Sequence, residues 1–160
     1  LYTRPGGGGA SDDRIQQGAV PVKYLCNDSE KYSNGNTHIV AFRYADVLLS
    51  LAEIENELNG PTDKALGYLK QITDRVGVTH TIPADIQSSK EKFKEFLLME
   101  RGRELFMEGW RRQDLIRFGK YIEFARNRGC TAAKDHMVLF PIPPKVITES
   151  GGVIEQNPGY

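Results

Sequence analysis

Charged side chains are concentrated in residues 100–117, and their spacing is the first feature that suggests chemistry. Glu100 and Glu104 lie four positions apart, so a helix would carry both carboxylates on one face. A glycosidase instead places its two carboxylates on opposite sides of the scissile bond. Because two acids on one helical turn do not face each other across a sugar, a carboxylate-dependent glycosidase is the less favoured interpretation, and we expect no catalytic residue.

Every acid that we single out in this stretch has an arginine within three or four positions, which favours a structural role. The spacing predicts the pairs Glu100 with Arg103, Glu104 with Arg101, Glu108 with Arg111 and Arg112, and Asp114 with Arg111 and Arg117. An exposed pair of this kind stabilises a helix by about 0.2–0.5 kcal/mol, whereas a partly buried pair fixes geometry and is costly to break. We therefore predict a structural ion-pair network formed by Glu100, Arg101, Arg103, Glu104, Glu108, Arg111, Asp114 and Arg117.

The 160-residue chain is balanced in charge, with 21 Lys and Arg against 21 Asp and Glu. A nucleic-acid-binding protein usually carries a basic excess that neutralises phosphates, so we predict no nucleic-acid partner. The histidines His38, His80 and His136 lie in predicted loops without metal-ligand spacing, and the two cysteines form no metal motif. We therefore predict neither a metal nor a cofactor. The sequence contains no apolar run of about twenty residues, so we predict no membrane-spanning helix.

Three aromatic residues are candidates for contact with a ligand such as a sugar. Tyr24 and Tyr32 lie among Gly, Asn and Asp residues, a setting in which loops stack on sugars and hydrogen-bond them. Trp110 lies between Gly109 and Arg111 at a predicted helix junction, where it can stack on a sugar or a base. For all three, packing against the protein itself is the commoner role.

The elements that would position these residues are mostly helices. Gly60 and Pro61 end a helix predicted over residues 43–59, and Thr62 caps a second one over residues 62–76. The short connection makes the two helices antiparallel neighbours, like one helix pair of the tetratricopeptide kind. One pair cannot bury both of its faces, so we expect it to pack on a third helix or on upstream residues. The apolar face of the first helix is predicted to contain Tyr44, Val47, Leu48, Leu51, Ala52, Ile54 and Leu58.

Three further helices are predicted towards the C-terminus. A capping box from Ser88 to Glu91 starts a long helix over residues 89–107, and shorter helices follow over residues 113–118 and 120–128. Pro143 and Pro144 predict an extended tail without helix. We therefore predict a mostly α-helical single domain over residues 1–160, with an irregular loop region at 1–42, helices within 43–128 and an extended Pro-rich tail at 129–160.

Five ordered blocks of this sequence resemble the C-terminal part of the SusD/RagB family. Residues 1–41 match no motif of that family. Gly102 departs from the family pattern, which often has a charged or helix-favouring residue there, at a cost of about 1 kcal/mol relative to Ala. The matching blocks are residues 42–49 with Ala52 and Glu53, residues 100–101 with 103–105, residues 108–112 with 114–117 and Gly119, residues 139–143, and residues 156–160.

The resemblance implies a helical fold with tetratricopeptide-like pairs and a binding function without catalysis. Family members are surface lipoproteins of Bacteroidetes-type bacteria that pass glycans or other nutrients to a SusC-type, TonB-dependent transporter of the outer membrane. The resemblance also implies that this chain is the C-terminal portion of such a lipoprotein. The lipoprotein would be held at the membrane only through a lipid anchor that this chain lacks. The blocks themselves are implied to be scaffold, and no sugar-contacting residue carries over.

Two functions follow from these observations as hypotheses. The first is non-catalytic binding of a nutrient at the cell surface, with an oligosaccharide as the expected ligand and a transporter as its recipient. The alternative is a helical protein–protein interaction module that uses the predicted helix pair.

Overall fold

The computed structural model describes Lys23, residues 40–77 and residues 82–160. These residues contain helices and no strand, so the predicted mostly α-helical fold is confirmed. The predicted irregular region at residues 1–42 lies almost wholly outside the described residues, and the single domain over residues 1–160 stays a prediction. The helices are α1 (Tyr44–Asn59), α2 (Asp63–Arg75), α3 (Ala84–Gln87), α4 (Lys90–Glu104), α5 (Arg111–Arg117), α6 (Tyr121–Asn127), a 3-10 helix (Asp135–Val138) and α7 (Pro144–Glu149).

Helices α1 and α2 form the predicted pair, and each starts one residue later than the sequence predicted. The backbone turns at Gly60, which adopts a φ of 83° and donates its N–H to the carbonyl of Asn56. A left-handed φ of this kind favours glycine, because a Cβ would clash with the backbone. Thr62 then caps α2 by accepting a hydrogen bond from the N–H of Ala65 at 3.3 Å.

The buried face of α1 differs from the prediction. Leu48 and Ala52 are buried as expected, and they are joined by Ala45, Leu49 and Asn56. The other five predicted members are exposed instead. Helix α1 carries apolar residues on two faces, and only one of these two faces packs against other described residues. We call the exposed set the α1 stripe, which consists of Tyr44, Val47, Leu51, Ile54 and Leu58.

Helix α4 crosses the pair and completes the core. Its residues Phe93 and Leu97 are fully buried and pack with residues of α1 and α2. The buried amide of Asn56 donates to the carbonyl of Lys90 at 3.0 Å and so ties the end of α1 to the start of α4. The predicted capping box is wrong, because the helix starts one residue later than that box requires. Ser89 is the cap, and its hydroxyl accepts from the N–H of Lys92.

The C-terminal tail is not extended throughout, which corrects the prediction. Pro144 begins the short helix α7, and a turn of 3-10 helix precedes it. Proline is compatible with the first position of a helix, since the N–H that it lacks has no helical acceptor there. The strip at residues 139–143 is free of helix, as its prolines predict. Among the residues that the structure describes, no helix is both long enough and apolar enough to cross a membrane.

Candidate functional site

The guanidinium of Arg101 is buried where α1, α4 and α5 meet, with 3% of the residue exposed. Its Nε donates to Asp114 Oδ2 at 2.9 Å, and a terminal nitrogen donates to Asp46 Oδ1 at 2.7 Å. The other terminal nitrogen lies 3.3 Å from Ser50 Oγ. Because one side chain of α4 contacts acids on two other helices, this cluster fixes the relative positions of all three.

Asp114 extends the cluster along α5 and back to α1. It is 1% exposed, and it accepts a second hydrogen bond from Arg117 Nε at 3.0 Å. Both terminal nitrogens of Arg117 contact the carboxylate of Glu53. Burial opposes the charge of Arg117, but the hydrogen bonds to Glu53 and Asp114 outweigh it, so its pKa is raised.

A second charged cluster surrounds Arg43, the residue that precedes α1. Arg43 Nε donates to Glu108 at 2.8 Å, and its terminal nitrogens donate to the carboxylate and the carbonyl of Glu104 at 2.7 and 2.6 Å. Arg75, at the end of α2, contacts the same Glu104 carboxylate at 2.9 Å. Burial acts to lower the pKa of Arg43, and its bonds to Glu108 and Glu104 raise it overall.

Two pairs that the spacing predicts are present in the structure. Arg103 contacts Glu100 at 3.0 Å, and Arg117 contacts Asp114. Arg101 turns away from Glu104 towards the acids of α1 and α5, as described above. The predicted partners of Glu108 are also different, since it contacts Arg43 whereas Arg111 and Arg112 lie elsewhere.

Arg111 lies flat against α4 at Gly102. Its terminal nitrogen donates to the carbonyl of Leu98 at 2.7 Å, and its guanidinium stands 5.2 Å from the ring centre of Phe124. A Cβ added at Gly102 would come within 2.7 Å of that nitrogen. The absence of a side chain at Gly102 therefore makes room for Arg111. Burial is the main cause of the lowered pKa of Arg111, and Arg128 acts in the same direction.

Arg112 connects the helices to the tail. Its guanidinium lies 4.0 Å from the ring centre of Phe140 and 5.2 Å from that of Tyr121. It also donates to the carbonyl of Val138 at 2.9 Å. Contacts of a cation with two aromatic faces and a carbonyl hold the strip at residues 139–143 beside α5 and α6.

The end of the tail binds the backbone of the same strip. The side-chain amide of Gln156 accepts from the N–H of Ile142 at 2.8 Å and donates to its carbonyl at 2.9 Å. Asn157 donates to the carbonyl of Phe140 at 2.7 Å, and the hydroxyl of Tyr160 donates to that of Leu139 at 2.8 Å. The two last blocks of the sequence resemblance, residues 139–143 and 156–160, thus contact each other. We call this arrangement the tail clasp.

Of the three aromatic candidates, Trp110 is within the residues that the structure describes. Trp110 is partly buried, packs against the core and has its ring centre 5.6 Å from that of Phe42. Tyr24 and Tyr32 lie outside the described residues. A contact of any of the three with a ligand stays a prediction.

Sequence reasoning missed four residues of the charged clusters, namely Arg43, Asp46, Glu53 and Arg75. The first three recur with steps of three and seven residues, so Asp46 and Glu53 lie on one face of α1 with Ser50, and Arg43 lies just before the start of that face. That periodicity indicates a charged face on an otherwise apolar helix. Their partners Glu108, Arg101 and Arg117 are 55 to 65 residues away, so local spacing does not identify them.

The geometry of these clusters is that of a helical scaffold joined by buried ion pairs. In the described part of the chain, each acid of the predicted network contacts at least one arginine. The same part of the chain contains no group of three or more His, Cys, Asp or Glu residues placed to hold a metal ion. The described residues therefore define a helical protein whose most charged segment, residues 100–117, takes part in contacts between helices.

Comparison with known sequences identifies the family. A sequence model of the SusD family matches residues 2–160. This match covers nearly the whole chain, so the chain belongs to the SusD family. The predicted SusD/RagB membership is thereby confirmed, and the match extends to residues 2–41, where the sequence showed no recognisable motif.

Three curated proteins of Formosa agariphila are similar to the chain. SusD-like protein P25 is 32% identical over 143 residues, which make up 84% of this chain and 27% of that protein. SusD-like protein P38 is 39% identical over 93 residues, or 55% of this chain and 18% of that protein. SusD-like protein P2 is 26% identical over 135 residues, or 78% of this chain and 26% of that protein. The chain thus spans about a quarter of the length of two relatives. No solved structure gave a significant match.

Proposed function

We propose that this chain is part of a protein that binds a nutrient at the cell surface and does not change it chemically. The observation that carries the proposal is the match to the SusD family over residues 2–160. An oligosaccharide is the ligand class that we propose. It would be recognised by aromatic stacking and hydrogen bonds, with Tyr24, Tyr32 and Trp110 as candidate contacts.

The charged clusters support a function without catalysis. Glu100 and Glu104, the pair with the spacing of catalytic acids, lie on the single helix α4. Arg103 contacts Glu100, and Arg43 and Arg75 contact Glu104. Such contacts orient the two carboxylates towards other parts of the scaffold, which argues against a pair that faces a sugar from both sides.

The proposed partner is a SusC-type, TonB-dependent transporter that receives the nutrient. The proposed location is the outer surface of the outer membrane, where a lipid anchor outside these 160 residues would hold the protein. Family membership supports both statements. Co-purification of the protein with a transporter from detergent-solubilised outer membranes, together with incorporation of a labelled fatty acid, tests them.

Calorimetric titration of the protein at the full length that its gene encodes tests the ligand class. A panel of oligosaccharides that differ in sugar and linkage should contain at least one that binds saturably, and a matched panel of short peptides should not bind. Clear binding of peptides without binding of any glycan would overturn the sugar assignment. The same protein with Trp110→Ala tests that candidate contact, and Phe124→Ala provides an aromatic control outside the candidate set.

Prolonged incubation with the bound glycan tests the absence of catalysis. Chromatography should recover the glycan unchanged. Release of shorter products by the wild-type protein, abolished in Glu104→Gln but retained in Glu91→Gln, would instead establish a carboxylate-dependent hydrolase.

A second candidate is a protein–protein interaction module built on the pair α1 and α2. The α1 stripe favours it, because an exposed apolar face of a helix is a common docking surface for another protein. Identification of the residues or the protein that cover the α1 stripe in the full-length protein distinguishes this candidate from the nutrient-binding one.

A further inference from the structure

The turn between α1 and α2 contains a dipeptide that can modify itself chemically. Asn59 is the last residue of α1, and Gly60 follows it. In an Asn-Gly sequence the glycine nitrogen can attack the side-chain amide carbon of the asparagine, because glycine has no Cβ that would hinder the approach. Asn59 is exposed, and a Cβ at Gly60 would meet no other described residue within 4 Å, its two neighbours aside. The turn therefore has room for this reaction and for water.

The reaction is a deamidation, and water is its co-reactant. A bond forms between the Gly60 nitrogen and Cγ of Asn59, the bond from Cγ to Nδ2 breaks, and ammonia leaves with the proton of the Gly60 N–H. Water then adds to one of the two carbonyl carbons of the five-membered imide and opens it. The product at position 59 is aspartate or isoaspartate, and isoaspartate places one extra carbon in the main chain.

The folded turn holds both reacting groups apart. The N–H of Gly60 donates to the carbonyl of Asn56 at 3.0 Å, which keeps the glycine nitrogen in the helical hydrogen-bond pattern. The side-chain amide of Asn59 donates to Glu55 Oε1 at 2.8 Å and is directed back along α1. Asn59 also belongs to the helix, and the five-membered ring does not close at helical backbone angles. The reaction therefore requires the turn to open.

Glu55 connects the two helices at this turn. Besides the amide of Asn59, its Oε1 accepts a hydrogen bond from the hydroxyl of Thr62 at 3.2 Å. Its Oε2 lies 3.3 Å from Nζ of Lys64. The hydrogen bond from Asn59 is the main cause of the lowered pKa of Glu55. One carboxylate thus ties the last turn of α1 to the start of α2.

We propose that Asn59 is a deamidation site that the closed turn protects, that it reacts when the turn opens, and that Glu55 controls this opening. The product does not fit the closed turn. A carboxylate at position 59 has no N–H to donate to Glu55, and it lies at the C-terminal end of a helix, where negative charge is unfavourable. Deamidation would therefore keep an opened turn from closing again. The proposal is independent of the proposed ligand and transporter.

Mass spectrometry of the protein at its full encoded length tests the site, since a digest reports each asparagine separately. The same dipeptide occurs at Asn34 and Gly35, and it calibrates the reaction in the unfolded chain. At mildly alkaline pH in concentrated urea, Asn59 and Asn34 should react at similar rates. In the native protein, Asn59 should react at least about tenfold more slowly than in urea, because only the open fraction reacts. Asn59→Gln should abolish the reaction at this position, since glutamine would have to form a larger ring.

Glu55→Ala tests the control of the turn. It should accelerate deamidation of Asn59 in the native protein by about fivefold or more, because the hydrogen bonds of Glu55 that hold the turn are lost. Glu57→Ala is the matched control. It removes a carboxylate from the same helix, but the partners of Glu57 are Lys90 and Lys94 of α4, so the rate should not change.

Hydrogen exchange at Phe93 and Leu97 shows whether the core of each variant is intact. If Glu55→Ala also accelerated exchange in the core, Thr62→Ala would replace it, since it removes one contact of Glu55 and the cap of α2. Thr73→Ala is then the control, because the Thr73 hydroxyl bonds only within α2.

Three results would overturn the proposal. Equal rates at Asn59 in the native protein and in urea would show that the closed turn gives no protection. Absence of reaction at Asn59 in urea, when Asn34 has reacted, would show that the dipeptide is not a modification site. Equal rates in Glu55→Ala and Glu57→Ala, with the core intact in both, would show that Glu55 does not control the turn.

Discussion

At the scale of single residues, Arg101 of α4 connects α1 and α5 through one buried guanidinium. It is almost wholly buried, and it contacts Asp114 at 2.9 Å and Asp46 at 2.7 Å. Transfer of a guanidinium and two carboxylates out of water is unfavourable, and only their mutual contacts offset it. Such a cluster adds little net stability when it is intact, but the removal of one member leaves buried charge without compensation.

Arg101→Met should therefore lower the stability of the protein by about 3–5 kcal/mol, because Asp114 and Asp46 lose their shared partner. Arg103→Met is the matched control, since Arg103 is 60% exposed and its bond to Glu100 is a surface pair worth below about 1 kcal/mol. Urea unfolding followed by circular dichroism measures both. Equal effects of the two substitutions would contradict a buried role for Arg101.

Gly102 and Arg111 form a pair whose coupling can be measured. Gly102→Ala gains about 1 kcal/mol of helix propensity, but the new Cβ would displace the Arg111 guanidinium from the carbonyl of Leu98. We expect the substitution to be neutral or destabilising in the wild type. In an Arg111→Ala background it should stabilise by about 1 kcal/mol, because nothing then occupies the space. A double-mutant cycle from urea unfolding gives the coupling, and additive effects would contradict the contact.

At the scale of elements, the sequence predicted the positions of the helices more accurately than it predicted their buried faces. The bounds of α1 and α2 follow from local signals, namely Gly60, Pro61 and the Thr62 cap. The buried face of α1 does not follow from local signals, because Leu49 and Leu51 are equally apolar. Leu49 is the buried one because it packs in one cluster with residues of α2 and α4. A choice between two apolar faces depends on tertiary contacts, which periodicity does not contain.

The charged clusters show the same division between local and distant information. The Arg103–Glu100 and Arg117–Asp114 contacts lie within one helical turn, and their spacing identified them. The same spacing rule predicted a contact of Arg101 with Glu104, but in the structure Arg101 contacts Asp46 on another helix. Burial explains the difference, since a contact between helices can be shielded from water whereas a pair along one exposed helix is not.

The tail clasp is an element whose removal should loosen one end of the molecule only. Gln156→Ala removes both hydrogen bonds to Ile142, so the free energy that protects the Ile142 amide from exchange should fall by about 1–3 kcal/mol. Hydrogen exchange measured by NMR reports this amide together with amides of Phe93 and Leu97 in the core, which should not change. Glu155→Ala, at an exposed neighbouring position, is the control.

A different result would assign the tail another role. If Gln156→Ala accelerated exchange at Phe93 and Leu97 as much as at Ile142, the tail would be part of the global cooperative unit. If no amide responded, the contacts of Arg112 with Phe140 and Val138 would be sufficient to hold the strip.

At the scale of the whole molecule, charge is balanced both in total and in space. The chain carries as many acidic as basic residues, and Arg101, Arg103 and Arg117 contact acids of α1, α4 and α5. An arginine-rich segment therefore presents little unopposed positive field to a polyanion. The same contacts support the predicted structural role of this arginine-rich segment.

This balance predicts that the chain does not bind nucleic acid despite its arginine-rich helices. A fluorescein-labelled DNA duplex should show no change in anisotropy on titration at about 50 or 200 mM salt, because few phosphates would be neutralised and few counterions released. A variant with Glu91→Lys and Glu95→Lys, two exposed acids of α4, supplies a matched chain with a basic surface. It should bind weakly at the lower salt concentration and lose that binding at the higher one. Tight binding by the wild type, with the same steep dependence on salt, would show that the arginines of α4 and α5 are accessible to phosphates, and the ion-pair interpretation of these helices would then be wrong.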